Sequence, residues 1–316
     1  MTTGISWTDE TWNPTVGCSK ISEGCRNCYA IGQSYRNAAI GATMPNPGRL
    51  KYYEGLTEKR GDRVEWTGVV NFVPEALKIP LKWKKPRRIF VNSMSDLFHE
   101  SVPFEWIDQA FAVMSLTAHH TYQILTKRPD RMLEYFSDLN DRTLKIMACL
   151  PRWIARDAAY AGKGLTDSLG EREYFLSLPN VWLGVTVENQ QAANDRIPLL
   201  LQCPAALRFL SCEPLLESVD LGKSISDLDW VIVGGESGPG ARNCNTEWMK
   251  SIVQECQQSE VPVFVKQLGA KPFSPYSPVD GASIRWPISD LKGAIVAEFP
   301  NYLQVQQFPQ NQGDLP

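Results

Sequence analysis

Three of the chain's eight cysteines crowd into Gly17-Cys18-Ser19-Lys20-Ile21-Ser22-Glu23-Gly24-Cys25-Arg26-Asn27-Cys28. Thiolates at such short spacing converge on a soft metal, either zinc or an iron–sulfur cluster. Gly17 and Gly24 beside Cys18 and Cys25 allow the tight backbone path that a ligand loop needs. A structural zinc normally takes four protein ligands, whereas a cubane on three thiolates leaves one iron open to a small molecule. The chain has 3 histidines, His99, His119 and His120. Of these, His99 is the best fourth ligand for a Cys3His zinc site. Cys149, Cys203, Cys212, Cys244 and Cys256 are scattered singly and read as small buried hydrophobes.

A second set of reactive side chains stands at the ends of short β-branched apolar runs. It comprises Asn92, Ser93, Ser95, Asp96 and His99; Thr126, Lys127 and Arg128; Thr186 and Glu188; Ser211 and Glu213; Gly234, Gly235, Glu236 and Ser237; and Lys266 and Gln267. In parallel α/β folds chemistry gathers at the carboxyl ends of strands, so this succession predicts a ligand pocket. Asn92, Asp96, Arg128 and Gln267 are its expected substrate-binding groups. Lys127, Glu188, Cys212 and Lys266 are the expected catalytic ones. Lys127, Arg128 and Lys266 suit an anionic ligand. Pairing of Lys127, Arg128 and Arg131 with Asp130 or Glu134 is the plainer account of those cations. The run Gly234-Gly235-Glu236-Ser237-Gly238-Pro239-Gly240 lets backbone approach a ligand, but it matches neither a Walker loop nor Gly-x-Gly-x-x-Gly.

The elements that must position these groups follow from pattern. The runs 88–92, 122–127, 181–188, 207–213, 230–236 and 261–267 suit strands buried on both faces, with one more near 5–15. Between them Phe104, Ile107, Phe111 and Met114 keep helical spacing, with Ser101 as a cap and Pro103 near the first turn. Met132, Leu133, Phe136 and Leu139 form another stripe, and Thr246-Glu247-Trp248 opens a third with Trp248, Ile252 and Cys256 on one face. The fold class expected is α/β, a TIM-type (β/α) barrel, partial or complete, in a single domain over 1–300. It would carry the cysteine loop 12–30, an elaboration at 37–68 and a helical insertion at 141–178. The polar stretch 301–316 is expected to be a disordered tail.

Apolar residues at 43% support a sizeable core, and a formal net charge of −3 argues against a wholesale electrostatic grip on nucleic acid. The basic run Lys82-Trp83-Lys84-Lys85-Pro86-Arg87-Arg88 precedes a strand, so it belongs on the face opposite the chemistry and reads as a solvated patch. Met1-Thr2-Thr3-Gly4 opens without a charged segment and apolar run, and no stretch has the length of a membrane span. A cytoplasmic protein without membrane attachment is expected.

Trp12-Asn13-Pro14-Thr15-Val16-Gly17-Cys18 and Cys25-Arg26-Asn27-Cys28-Tyr29-Ala30 resemble the signature of a phage-associated three-Cys-motif family, the phage gene product thirty-seven/sixty-eight type. Matching blocks follow at 90–99, 125–129, 180–188, 208–215, 229–242 and 262–269, so the resemblance spans most of residues 4–270. That family is in turn similar to radical S-adenosylmethionine (SAM) enzymes. The resemblance implies a [4Fe-4S] cluster on Cys18, Cys25 and Cys28, SAM as a second cofactor, and hydrogen abstraction from a substrate. Gly234, Gly235 and Glu236 would then lie against the adenosine, and Ser211 and Glu213 against the ribose or methionine part. Phage association implies a nucleotide-like or nucleic-acid substrate. The spacing Cys-x6-Cys-x2-Cys is longer than the common Cys-x3-Cys-x2-Cys. Asn27 stands where an aromatic is usual, while Tyr29 follows the third cysteine.

Two other function classes fit the same residues. Glu188, Glu213 and Glu236 are candidates for the acid and base of a barrel glycosidase, with zinc on the cysteines, if carboxyl groups stand roughly 5–9.5 Å apart. If the strand-end charges neutralise one another, a non-catalytic zinc module that docks a partner protein is favoured.

Overall fold

A computed structural model describes residues 3–154, 178–275 and 283–310. It divides into two compact units where the sequence pattern suggests one domain. The first holds residues 1–20, 30–183 and 202–206; the second holds 21–29, 184–201 and 207–316. No helix among the described residues is long and apolar enough to cross a membrane.

The first unit begins with β1 (Glu10–Trp12) and β2 (Thr15–Val16). Most of α1 (Tyr29–Thr43) follows, then a hairpin of β3 (Thr57–Arg60) and β4 (Arg63–Trp66), and β5 (Asn71–Phe72). The expected elaboration at 37–68 is therefore the end of a helix, a 3-10 turn and that hairpin. Next come β6 (Arg88–Val91), α2 (Phe104–Leu116), β7 (Thr121–Thr126), α3 (Pro129–Tyr135) and α4 (Leu139–Ile154). β8 (Val181–Thr186) is shared, its first three residues counted here. β1 pairs parallel with β6, and β6 with β7, so Trp12, Val91 and Ile124 share one register line. All three are buried, and in β6 and β7 successive residues are buried (Ile89, Phe90 and Val91; Tyr122, Gln123 and Ile124) rather than alternate ones. α2 starts with Pro103 as N-cap and no capping side chain, so Ser101 does not cap it as expected. Within the expected insertion, α4 is present and residues 155–177 lie outside the described set.

The second unit takes the rest of β8, then α5 (Gln190–Gln202), β9 (Leu207–Cys212), β10 (Trp230–Gly234) and β11 (Cys244–Asn245). α6 (Thr246–Gln258), β12 (Val263–Gln267), β13 (Pro272–Ser274) and β14 (Ile284–Arg285) complete it. Hydrogen-bonded order is β1-β6-β7-β8 in the first unit and β8-β9-β10-β12 in the second. Where registers are defined these neighbours run parallel, as the α/β expectation requires. The Asn245 side chain accepts the Glu247 amide at 3.0 Å and caps α6. The buried face of that helix carries Met249, Ile252, Val253 and Cys256, with Trp248 only half-buried.

Residues 301–308 correct the expectation of a disordered tail. The Val265 amide donates to Val305 O at 2.9 Å, and the Trp230 indole to Gln307 O at 2.9 Å. Phe308 packs on Trp230 and Phe264, with ring centroids 5.6 and 5.1 Å away. An otherwise polar segment is ordered because a backbone bond, an indole bond and an aromatic ring tie it to β12 and β10. Residues 311–316 lie outside the described set.

Candidate functional site

In the first unit the Cys18 segment is fastened to the carboxyl ends of β6 and β7. Gly17 has φ +97, and a Cβ there would lie 2.2 Å from the Val69 carbonyl oxygen, so only glycine fits. Its amide donates to Met94 O at 3.1 Å. Asn92, at the end of β6, sits at φ 61, a left-handed conformation that asparagine tolerates better than most residues. Its side-chain amide donates to Thr15 Oγ1 at 2.9 Å.

Arg128 is the hub of this region, its side chain 7% exposed. Its Nη1 reaches Asp96 Oδ2 at 3.2 Å, its Nε Glu100 Oε2 at 2.6 Å, and its Nη2 Ser19 Oγ at 2.8 Å. The same Nη1 lies 3.8 Å from Cys18 Sγ. Asp96 also accepts from the Phe98 amide (3.0 Å), the Thr126 hydroxyl (2.7 Å) and the Lys127 amide (3.1 Å). The expected anion gripper Arg128 is thus already occupied by two carboxylates from outside its own loop. Neighbouring Arg131 does pair locally, with Glu134 at 2.8 Å.

His99 is buried, and its Nδ1 accepts the Ser101 amide at 3.1 Å. The ring proton therefore belongs on Nε2, which donates to Ser19 Oγ at 2.9 Å. Burial first, and then the Arg128 charge, push its pKa below the usual histidine value. Both ring nitrogens of His99, the fourth ligand that the sequence suggested, are engaged here by Ser19 and Ser101.

In the second unit the Cys25–Cys28 turn lies on the ends of β8 and β10. Gly24 stands where a Cβ would come within 3.0 Å of the Glu188 carboxyl carbon. Glu188, 0% exposed, is gripped by Arg196 of α5 through Nη1 at 2.8 Å and Nη2 at 3.3 Å. Glu236 accepts from the Asn27 side-chain amide at 3.0 Å, and from Arg242 through its backbone amide (2.9 Å), Nε (2.9 Å) and Nη2 (2.6 Å). Burial alone would raise the Glu236 pKa, but the Arg242 and Asn27 hydrogen bonds overcome it and hold the carboxyl below its ordinary value.

Between these lies a half-exposed pair. Lys266 Nζ stands 3.1 Å from Glu213 Oε1, with 23% of the lysine side chain exposed. A Cβ at Gly234 would fall 2.4 Å from that same oxygen, so a side chain there would make the Glu213 carboxylate shift. At Gly235 a Cβ would fall 2.2 Å from Leu268 O. The two glycines therefore admit a carboxylate and a neighbouring backbone; Gln267 donates its side-chain amide to Gly235 O at 2.8 Å. Ser211 is buried, with its carbonyl accepting the Val187 amide at 2.9 Å. Cys212 is fully buried and burial pushes its thiol well above the usual range; Cys244 and Cys256 are raised by burial to about 12. Those thiols behave as the hydrophobes the sequence suggested, and Cys212 is a poor proton donor for an open pocket.

Cys18, Cys25 and Cys28 are by contrast half-buried and outside any disulfide. In kind they suit a soft metal: three sulfurs, with a guanidinium near one of them and a buried carboxylate network beside the other two. Among the described residues no three His, Cys, Asp or Glu side chains are gathered closely enough to hold one ion. Ser19, Asn27, Glu100, Arg196 and Arg242 escaped the sequence reading. The available signal was an arginine on the helix or loop following Glu188 and Glu236.

A family model described as "Protein of unknown function (DUF5131)" matches residues 2–299. No curated protein and no solved structure matches the chain.

Proposed function

The chain belongs to the DUF5131 family, proteins of unknown function, and from its own residues we propose that it is a cytoplasmic radical-SAM-like iron–sulfur enzyme on a partial (β/α) barrel. In that reading a [4Fe-4S] cluster on Cys18, Cys25 and Cys28 supplies the electron for reductive cleavage of SAM, and hydrogen abstraction from an anionic or nucleotide-like substrate follows. The observation that carries it holds in each unit taken alone. The cysteine segment is fastened by an arginine–carboxylate network to the carboxyl ends of that unit's parallel strands, where α/β folds place their chemistry.

The protein's own groups divide by what they already hold. Arg128, Arg196 and Arg242 neutralise buried or half-buried acids and keep the loops in place. Lys127 in the first unit and Lys266 in the second are partly exposed cations, and Lys266 already pairs with Glu213. Glu213, beside Gly234, holds the Lys266 ammonium, and it would be the group to meet the ribose or methionine part of SAM.

The paired strand-end charges favour one alternative, a non-catalytic zinc module that docks a partner protein. They weigh against glycosidase chemistry. Glu188, Glu213 and Glu236 each hold a cation, and a general acid needs its pKa raised whereas that of Glu236 is lowered. The test is anaerobic purification with iron, sulfide and zinc analysis, an absorption spectrum and a SAM-cleavage assay. Brown protein with about four irons per chain that cleaves SAM under reduction supports the enzyme. Colourless protein with stoichiometric zinc selects the docking module.

A further inference from the structure

Glu236 belongs to a Gly-Gly-Glu run, which the resemblance to radical SAM enzymes would place against the adenosine. Its surroundings in the second unit assign it other work. A carboxylate offers about four lone-pair positions, and Glu236 accepts four N–H donors, one from Asn27 and three from Arg242. Each of those donors is anchored to the cysteine turn or to the loop facing it. Asn27 lies between Cys25 and Cys28, and its second amide hydrogen goes to Gly240 O at 3.0 Å. Arg242 Nη1 reaches back to Glu23 O at 2.9 Å, the carbonyl that also receives the Arg26 amide at 3.1 Å. The turn itself is short, with the Cys25 amide on Ser22 O at 3.0 Å and the Cys28 amide on Cys25 O at 3.3 Å. A buried carboxylate therefore ties the backbone just before Cys25 to the side chain just before Cys28.

We propose that Glu236, Arg242 and Asn27 are positioning residues that fasten the Cys25–Cys28 turn in its metal-binding arrangement, so that Glu236 serves the thiolate pair rather than SAM. The metal-binding part rests on the reading above; the fastening stands on the contacts alone. Outer partners of metal ligands commonly change metal affinity by about 10–100-fold. Here they act through the backbone and through Asn27, so the whole turn is held rather than one sulfur.

The test uses the full chain, freed of metal by chelation without oxygen, with each variant's fold checked by circular dichroism. Cobalt(II) is titrated in and its thiolate charge-transfer band recorded, for wild type, Arg242→Gln, Arg242→Lys, Glu236→Gln and the surface control Lys250→Gln. The cobalt dissociation constant should rise about 10–100-fold in Arg242→Gln and Glu236→Gln, recover partly in Arg242→Lys, and stay put in the control. In parallel, metal-free protein is labelled with iodoacetamide and the cysteines are read by peptide mass spectrometry. In Arg242→Gln, Cys25 and Cys28 should label faster by about tenfold or more, the worth of one charge-assisted hydrogen bond, while Cys18 and Cys203 do not change. Wild-type cobalt affinity in Arg242→Gln overturns the proposal and leaves the enzyme reading intact. If wild type takes up no cobalt, the metal reading falls, and the labelling decides the fastening: faster labelling of Cys25 and Cys28 upholds it and unchanged labelling ends it.

Discussion

Replacing Arg128 by methionine keeps much of the side-chain volume and removes the charge at the hub of the first unit. Two carboxylates then lose their cation, with unequal consequences. Glu100 is 59% exposed, so its share is worth less than about 1 kcal/mol. Asp96 is only 8% exposed at its side chain, and it would keep three neutral donors from Phe98, Thr126 and Lys127. Removing one partner of a buried pair costs about 3–5 kcal/mol, and the surviving donors place Asp96 near the lower end, about 3 kcal/mol. Hydrogen exchange followed by mass spectrometry reads this directly. Amides of β6 and β7 that exchange only on full opening should exchange about a hundredfold faster. In calorimetry the corresponding fall is about 6–12 °C for a unit of this size class.

A pH series adds a second handle on the same contact. Burial opposes ionisation of Glu100, but its own backbone amide and the Arg128 guanidinium prevail and bring its carboxyl from 4.5 down to about 2. The folded value lies below the unfolded one, so the unfolded chain binds more protons in that window. The stabilisation is present above pH 4.5 and is lost as pH falls toward 2. Arg128→Met should flatten that acid limb. A variant that melts within about 1 °C of wild type, with unchanged exchange in β6 and β7, would refute the claim that Asp96 depends on the guanidinium.

Three further outcomes follow from individual contacts. Glu188→Gln leaves Arg196, 12% exposed at its side chain, without its counter-charge, and should cost about 3 kcal/mol by exchange of β8 and α5 peptides; a neutral result would mean that the pair is dispensable. Gly184→Ala would put a Cβ 2.6 Å from the ring of buried Phe209, so denaturant titration should show a loss of about 1–3 kcal/mol that Phe209→Leu partly restores. Ending the chain after Gln304 removes the Val305, Gln307 and Phe308 contacts to β10 and β12 and should lower the melting temperature by several degrees, whereas an unchanged midpoint would return the tail to disorder.

Sequence by itself determined the strands of the parallel ladders and the polar character of their ends. A strand covered on both faces must be apolar residue after residue, and that signal is local, which is why runs such as 88–92 and 207–213 were legible to within a residue or two. It also determined which thiols stand apart: clustered ones at Cys18, Cys25 and Cys28, isolated and mostly buried ones elsewhere. Tertiary structure alone decided what each strand-end charge does. Arg131 finds Glu134 three residues away, but Arg128 finds Asp96 at a separation of 32, and Asn27 finds Glu236 at 209. Which acid meets which base depends on which loops the folded strands bring side by side, and Coulomb attraction between distant segments leaves no periodic trace in the chain. The same holds for the tail, whose polar composition says nothing of the edge carbonyls and the one aromatic gap waiting for it on β10 and β12.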